Sequence, residues 1–437
     1  MEIKRDFYLN QLIAKMHNGR VKIITGIRRC GKSYLLSTLF RNYLVANGTP
    51  EEQIIEVALD KKGFDDLRNP DKLYAYIMAH IDGSRQYYIF IDEIQLSYRV
   101  KKPGIDESMV APEDRDLIYT TFYDVLNDLM ARPNLDIYVT GSNSRMLSKD
   151  IATNFRDRGV EIRLHPLSFS EYYPVSGKEK ADAWEDYLVY GGMPLAVLEQ
   201  EEREKERYLT DLFRKVYLAD VVERYGAQEE YVENLADVLC SAVGSLTNPL
   251  KLANTVNTVY HAGTTDKTVK KYLDILEEAF LFRSAKRYDV KGKAHMGSPL
   301  KYYAEDVGLR NARLNFRQTE ETHLMENVIF NELIRRGYSV DVGVVNITDT
   351  VNGKKTEKQH EIDFVVNLGD RRVYIQSAFS IADEEKRQQE IKPLMKSGDF
   401  FKKIVVVGGS QKARMDENGI QYVGVIPFLL DEKSLNG

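Results

Sequence analysis

Residues 21–40 read VKIITGIRRCGKSYLLSTLF: a β-branched apolar run, a loop bounded by glycines, and an apolar helical run in direct succession. The loop satisfies G-x-x-x-x-G-K-[ST], with Gly26, Gly31, Lys32 and Ser33 in the four fixed places and a strand and a helix on the required sides. Gly26 and Gly31 free the backbone to turn its N–H groups inward onto phosphate oxygens, and the following helix points the positive end of its dipole the same way. In such a loop Lys32 reaches the β- and γ-phosphates, and the Ser33 hydroxyl ligates Mg²⁺. Ile27, Arg28, Arg29, Cys30 and, just beyond the loop, Tyr34 belong to the same nucleotide-contacting segment. Cys30 lies where a helix N-terminus favours thiolate, so two readings stand for it: redox control of binding, or a small residue at a place the motif leaves free.

Outward from this loop, short apolar runs recur as IIEVAL (54–59), YYIFI (87–91), LDIYVT (135–140) and VEIRL (160–164), separated by helical stretches such as DLIYTTFYDVLNDLM (116–130). Continuous apolar strands alternating with helices predict an α/β unit whose parallel sheet is covered on both faces. The run YYIFIDEIQ ends in an acidic pair. Its strand end presents Asp92 to the Mg²⁺ shell and Glu93 to the attacking water as general base. By the same logic Ser142 or Asn143, closing LDIYVTGSN, falls beside the γ-phosphate and orients water, or forms a plain turn. Arg156 and Arg158, before the fifth run, are candidates for a charge that stabilises the transition state. No Asn-Lys-x-Asp guanine-reading motif occurs, so the cofactors expected are ATP and Mg²⁺.

Taken in order, VKIITGIRRCGKSYLL, YYIFIDEIQ, VTGSNSRMLS, VEIRLHPLSFSEYY and YGGMP resemble the bacterial and archaeal AAA-type ATPases that carry an uncharacterised C-terminal domain, relatives of the archaeal ATPase group. Arg28 and Arg29 inside the loop and the PLSFSEY stretch are more specific than the loop motif itself, and EIDFVV and YIQSAF extend the resemblance over nearly the whole chain. It implies an AAA-type parallel sheet, ATP hydrolysis, and Arg158 as sensor or finger arginine. The glycine that usually precedes that arginine is Asp157 here. An arginine contributed across subunits would make the protein a homo-oligomer.

Four segments are expected: an ATPase domain over 1–170, a helical lid or linker over 171–228, a winged-helix-like domain over 229–320 and a restriction-endonuclease-like α/β domain over 321–437. The strand signal stops after residue 173, and helices dominate from about 175 to 282. Within them, residues 247–282 read as two short amphipathic helices. Thr264 or Thr265 suits the cap of the second, Val269, Tyr272, Leu273, Ile275 and Leu276 face a core, and Lys267, Lys270 and Lys271 face outward. This spacing resembles a winged helix-turn-helix, whose second helix can enter a major groove.

From about Glu326 a second α/β pattern resembles the restriction-endonuclease-like fold, with Glu326 on a helix, Asp363 in EIDFVV and Gln376 in YIQSA. Active members need an acidic residue and a lysine two places on, and here those places hold Gln376 and Ala378. A catalytically silent module is expected, in which Asp363 caps a strand or pairs with Lys402 or Arg372.

The 437 residues are 43% hydrophobic and carry a formal net charge of -5, so no global field draws the chain to nucleic acid or acidic lipid. No apolar run of about 18 residues could span a bilayer, and two cysteines, Cys30 and Cys240, fit a reducing, cytoplasmic compartment. Two partner classes remain open: DNA through the winged helix, or a protein partner of an ATP-controlled signalling or defence switch that touches no DNA.

Overall fold

The computed structural model describes residues 3–83, 85–142, 158–318, 320–351, 354–369 and 371–435. The chain divides between His165 and Pro166 into two compact units.

In the first unit the strands in chain order are β1 (Val21–Thr25), β2 (Ile54–Ala58), β3 (Tyr87–Asp92), the two-residue β4 (Val100–Lys101) and β5 (Tyr119–Thr120), β6 (Leu135–Gly141) and β7 (Gly159–Arg163). Five of them form one parallel sheet in the order β2-β3-β6-β1-β7. Every residue of β1 and β6 is buried, as expected for strands covered on both faces. One face packs Val21, Ile23, Ile89, Ile91, Ile137 and Val139 against the helices Pro70–Ala79 and Phe122–Met130. On the other, Phe40 of the helix that follows the loop meets Tyr138 at 4.8 Å and Phe90 at 5.8 Å between ring centroids. Lys22 of β1 is fully buried in this sheet and is neutralised by Asp136 of β6, which also accepts from Tyr138 Oη at 2.8 Å.

The helix expected over 116–130 is shorter than its periodicity implied. A 3-10 segment, Pro112–Ile118, precedes it, Tyr119 and Thr120 pair with β4, and the helix begins at Phe122. Thr121 and Asp124 form a capping box there, with Thr121 N donating to Asp124 Oδ2 at 2.7 Å, and a cap of that kind sets a helix start more sharply than apolar spacing does.

The second unit begins with helices, Phe169–Ser176, Lys180–Tyr190 and Pro194–Leu198, then a long one over 202–225, then Glu229–Ser241, Pro249–Tyr260 and Asp266–Glu278. Its strands are β8 (Phe282–Asp289), β9 (Ala294–Ala304), β10 (Ser339–Val351), β11 (Lys354–Leu368), β12 (Arg371–Ala378), β13 (Lys402–Val407), β14 (Arg414–Met415) and β15 (Ile420–Gly424). They form a mixed eight-stranded sheet in the order β14-β15-β13-β12-β11-β10-β8-β9. The strand signal therefore resumes at Phe282 and not near residue 326. The hairpin β8–β9 escaped the sequence reading because FRSAKRYD and AHMGSPLKYYA alternate with charge and carry little apolar periodicity. Because β8 pairs in parallel with β10, the sheet draws strands from both sides of residue 321. Among the described residues no helix is long and apolar enough to cross a membrane.

The YGGMP stretch has its explanation inside this unit. Gly192 N donates to Asp306 Oδ2 at 2.7 Å, Leu309 N donates to Asp306 Oδ1 at 3.0 Å, and a Cβ on Gly192 would lie 2.0 Å from Leu167 O. Burial pushes the Asp306 carboxyl up to about 6, against the pull of the Gly192, Leu309 and Gly308 amides. A folded-state value above the usual carboxylate value means that the native chain holds a proton the unfolded chain releases. Stability from this group is thus complete below about pH 4 and is lost as pH rises to about 6. Asp306→Asn is expected to flatten the pH dependence of the denaturation midpoint between those values, by up to roughly 3 kcal/mol; identical profiles for the two proteins would refute the assignment.

Candidate functional site

The loop of residues 26–31 leaves the carboxyl end of β1 and enters the helix beginning at Lys32. Gly26 has φ 145°, and a Cβ there would sit 2.1 Å from Leu164 O and 3.1 Å from Cys30 Sγ. Only glycine tolerates both the conformation and the approach of the β7 chain end. Gly26→Ala is therefore expected to cost about 1–3 kcal/mol, read as a lower midpoint in chemical denaturation; an unchanged midpoint would mean that the Leu164 carbonyl yields freely. Gly31 caps the helix at φ 99°, and Arg29, exposed, also holds a left-handed φ of 62°.

Lys32 is buried, and its ammonium donates to Gly26 O and Ile27 O, each at 3.2 Å, so it lies across the mouth of the loop it closes. Ser33 is exposed beside it, Ile27 is buried, and Arg28 and Tyr34 are half-buried. Cys30 is wholly buried with Sγ 3.5 Å from Leu164 O, and its own carbonyl accepts from Arg5 Nη1 at 3.1 Å. Of the two readings left open for Cys30, this burial favours the small residue at a place the motif leaves free, since a thiol without solvent access is a poor redox sensor.

Strand order explains how the acidic pair meets the loop. β6 lies between β1 and β3, so the ends of β1 and β3 stand two strand spacings apart, roughly 10 Å. The first helical turn spans that gap: Ser33 Oγ donates to Asp92 Oδ2 at 2.7 Å. From β6, Thr140 fills the middle, its hydroxyl donating to Asp92 Oδ1 and accepting from Glu93 N at 3.0 Å. One hydroxyl uses its single proton and a lone pair to hold both acidic residues in register. Glu93 sits at φ 53°, a costly left-handed conformation for a residue with a Cβ, which turns it away from the strand line of Asp92. Its Oε2 accepts from Gln95 Nε2 and, at 3.4 Å, from Ser142 Oγ. Thr140 and Gln95 were missed by sequence reading. Thr140 could have been found from its place one residue before the Gly-Ser turn, whereas Gln95 gave no signal.

Ser142 is buried at the end of β6. Asn143, Arg156 and Asp157 lie outside the described residues. Arg158 is exposed, and its carbonyl accepts from Val21 N at 3.0 Å at the start of β1.

In the second unit, Lys267, Lys270 and Lys271 are exposed on the helix Asp266–Glu278, whose buried residues are Val269, Tyr272, Leu273, Ile275 and Leu276. Thr265 caps it, accepting from Thr268 N at 3.2 Å. Glu326, Asp363 and Gln376 come together: Asp363 N donates to Gln376 Oε1 at 3.4 Å, and Glu326 and Asp363 share the ammonium of Lys301 at 2.8 and 3.6 Å. The partner of Asp363 is thus Lys301 and neither Lys402 nor Arg372; Arg372 instead donates to Asn367 Oδ1 and Tyr288 Oη. The reason is topological, since the partner arrives on β9, which the sequence reading had not recognised as part of this sheet. Burial works against the charge on Lys301, but Glu326, Asp363 and Glu361 outweigh it and raise its pKa; burial and the neighbouring carboxylates push Asp363 well up.

Family comparison divides the chain into an AAA domain over residues 18–173, a domain of unknown function (DUF8612) over 181–320 and a second (DUF4143) over 321–428. An uncharacterized protein of Haemophilus influenzae is 32% identical over 435 residues, covering 98% of each chain. The uncharacterized protein MJ1544 of Methanocaldococcus jannaschii is 24% identical over 439 residues, covering 95% of this chain and 88% of its own. Among solved structures, the Walker-type ATPase PABY2304 of Pyrococcus abyssi aligns with a TM-score of 0.47 at 12% identity, over 72% of this chain and 96% of that one. With its phosphate loop, acidic strand end and three successive matches, the chain belongs to the family of the Haemophilus influenzae protein, in which an AAA domain is followed by DUF8612 and DUF4143.

Proposed function

We propose that the chain binds ATP with Mg²⁺ on the loop 26–33 and hydrolyses it to switch the state of a C-terminal half that acts on DNA. The observation that carries this reading is the chain of contacts Ser33–Asp92–Thr140–Glu93, which ties the phosphate loop to the residue whose carboxylate Gln95 and Ser142 hold beside it. The residues present fit the group. Gly26 keeps the loop free of side-chain bulk, Lys32 Nζ lies within reach of the loop carbonyls, and a hydroxyl and a carboxylate, both hard oxygen donors suited to Mg²⁺, stand at bonding distance. Bound with the nucleotide, Mg²⁺ supplies charge neutralisation at the phosphate oxygens.

Each side chain then has one task. Lys32 leaves the Gly26 and Ile27 carbonyls and donates to the terminal phosphates. Ser33 and Asp92 hold the cation. Glu93 takes a proton from the water that attacks the γ-phosphorus, as ADP departs with the electrons of the broken P–O bond. Ser142 and Gln95 orient the Glu93 carboxylate, and Asn143 and Arg158 remain candidates for water and charge at the transition state.

Support for DNA comes from the order of elements in the second unit. Three helices, Glu229–Ser241, Pro249–Tyr260 and Asp266–Glu278, are followed by the hairpin β8–β9, and Thr247 before the second helix bridges Leu300 of β9. This order resembles the one expected of a winged helix, and three lysines are exposed on the third helix. ATP turnover with duplex, single-stranded and branched DNA tests it. Stimulation that falls with salt and disappears when Lys267, Lys270 and Lys271 become alanine is the expected result. A rate indifferent to every DNA would favour the rival reading, a switch that binds a protein partner.

A further inference from the structure

The restriction-endonuclease-like fold read for residues 321–437 implies a divalent cation held by Glu326, Asp363 and a third carboxylate. The residues present do not fit one. Gln376 takes the place of the third carboxylate, and its amide is committed on both sides, Oε1 accepting from Asp363 N and Nε2 donating to Glu390 Oε2 at 2.9 Å. The centre of the cluster belongs to Lys301, whose Nζ lies 2.8 Å from Glu326 Oε1, 2.6 Å from Glu361 Oε1 and 3.6 Å from Asp363 Oδ1. Tyr303, two residues on along β9, donates to the same Glu326 oxygen at 2.7 Å. The Lys301 side chain is only 4% exposed and those of Glu326 and Asp363 only 9%. Among the described residues no three metal-binding side chains are arranged to hold an ion.

A buried lysine is costly unless its charge is matched, and this ammonium, close to Glu326 and Glu361 with Asp363 3.6 Å away, sits among the carboxyl groups where a bound cation would. The contacts tie β9, β11 and the helix Glu321–Arg335 through one positive group. We infer that the Lys301 ammonium permanently occupies the cation position of this cluster, so that the unit folds around an internal counter-ion and takes up no divalent metal there. This rests on the contacts of Lys301 and is independent of the ATP reading. Nuclease chemistry at the cluster is closed off twice, by the amide at Gln376 and by the cation already in place.

The test uses the full chain without nucleotide, with Mn²⁺ as the probe, free Mn²⁺ followed by electron paramagnetic resonance and stability by thermal melting. Wild type should take up no Mn²⁺ that Glu326→Gln abolishes, and its melting temperature should not respond to the metal. Lys301→Ser, which opens space and removes the charge, should melt lower by about 6 °C or more. Millimolar Mn²⁺ should restore most of that loss, and the double variant Lys301→Ser/Glu326→Gln should not respond. Mn²⁺ uptake by wild type that Glu326→Gln removes would overturn the inference. So would a Lys301→Ser protein that melts like wild type, or one that is destabilised and ignores the metal. If Lys301→Ser is insoluble, the comparison of wild type with Glu326→Gln decides by itself.

Discussion

Lys32→Ala is expected to raise the ATP dissociation constant by about 30-fold to several thousand-fold, the equivalent of about 2–5 kcal/mol for removing one partner of a desolvated charged contact. Among the described residues Lys32 is the one ammonium that donates into the loop carbonyls, and alanine offers nothing in its place. Calorimetric titration of folded protein measures it, with circular dichroism to verify that the fold survives. Affinity within a factor of three of wild type would place the nucleotide somewhere other than this loop, and the functional reading would fail with it.

Glu93→Gln has the second large effect, and its signature differs. The amide preserves size and can still bond Gln95 and Ser142, but it cannot take a proton. Turnover should fall by about 10²–10⁴ while ATP affinity stays nearly unchanged, because Ser33 and Asp92 keep their mutual contact at 2.7 Å. A steady-state phosphate-release assay beside an equilibrium binding measurement separates the two effects. Wild-type turnover in the variant would remove Glu93 from the chemistry. Loss of binding together with turnover would make Glu93 a support of the nucleotide pocket instead.

The two substitutions also separate the loop from the strand end, which matters because the two meet directly through the bond from Ser33 to Asp92. Ser33 and Thr140 both donate to the Asp92 carboxylate, one from the helix and one from β6. The left-handed Glu93 is held from behind by Thr140 through its backbone amide. A site so assembled is sensitive to the placement of β6, whose seven buried residues lock it into the sheet.

Much of this was readable from residue order alone. A glycine-bounded loop between an apolar strand and a helix has few physical solutions, and both the loop and the acidic strand end follow from local sequence. The exposed lysines and buried face of the helix Asp266–Glu278 were likewise legible, because helical periodicity sorts the two faces without reference to neighbours. Less legible was anything that depended on a partner far along the chain. Lys22 reads as a blemish in an apolar run until Asp136 arrives beside it from β6.

The sequence by itself determined which atoms could meet a phosphate, because the conformational freedom of Gly26 and Gly31 and the chemistry of Lys32, Ser33, Asp92 and Glu93 are properties of those residues. Only the tertiary structure decided what stands beside and behind them: Thr140 brought by β6 to both members of the acidic pair, and Lys301 brought by β9 into a cluster whose other members lie on different elements. The physical reason is that hydrogen bonds and ion pairs are made between neighbours in space, and strand order in a sheet sets those neighbours independently of their order along the chain.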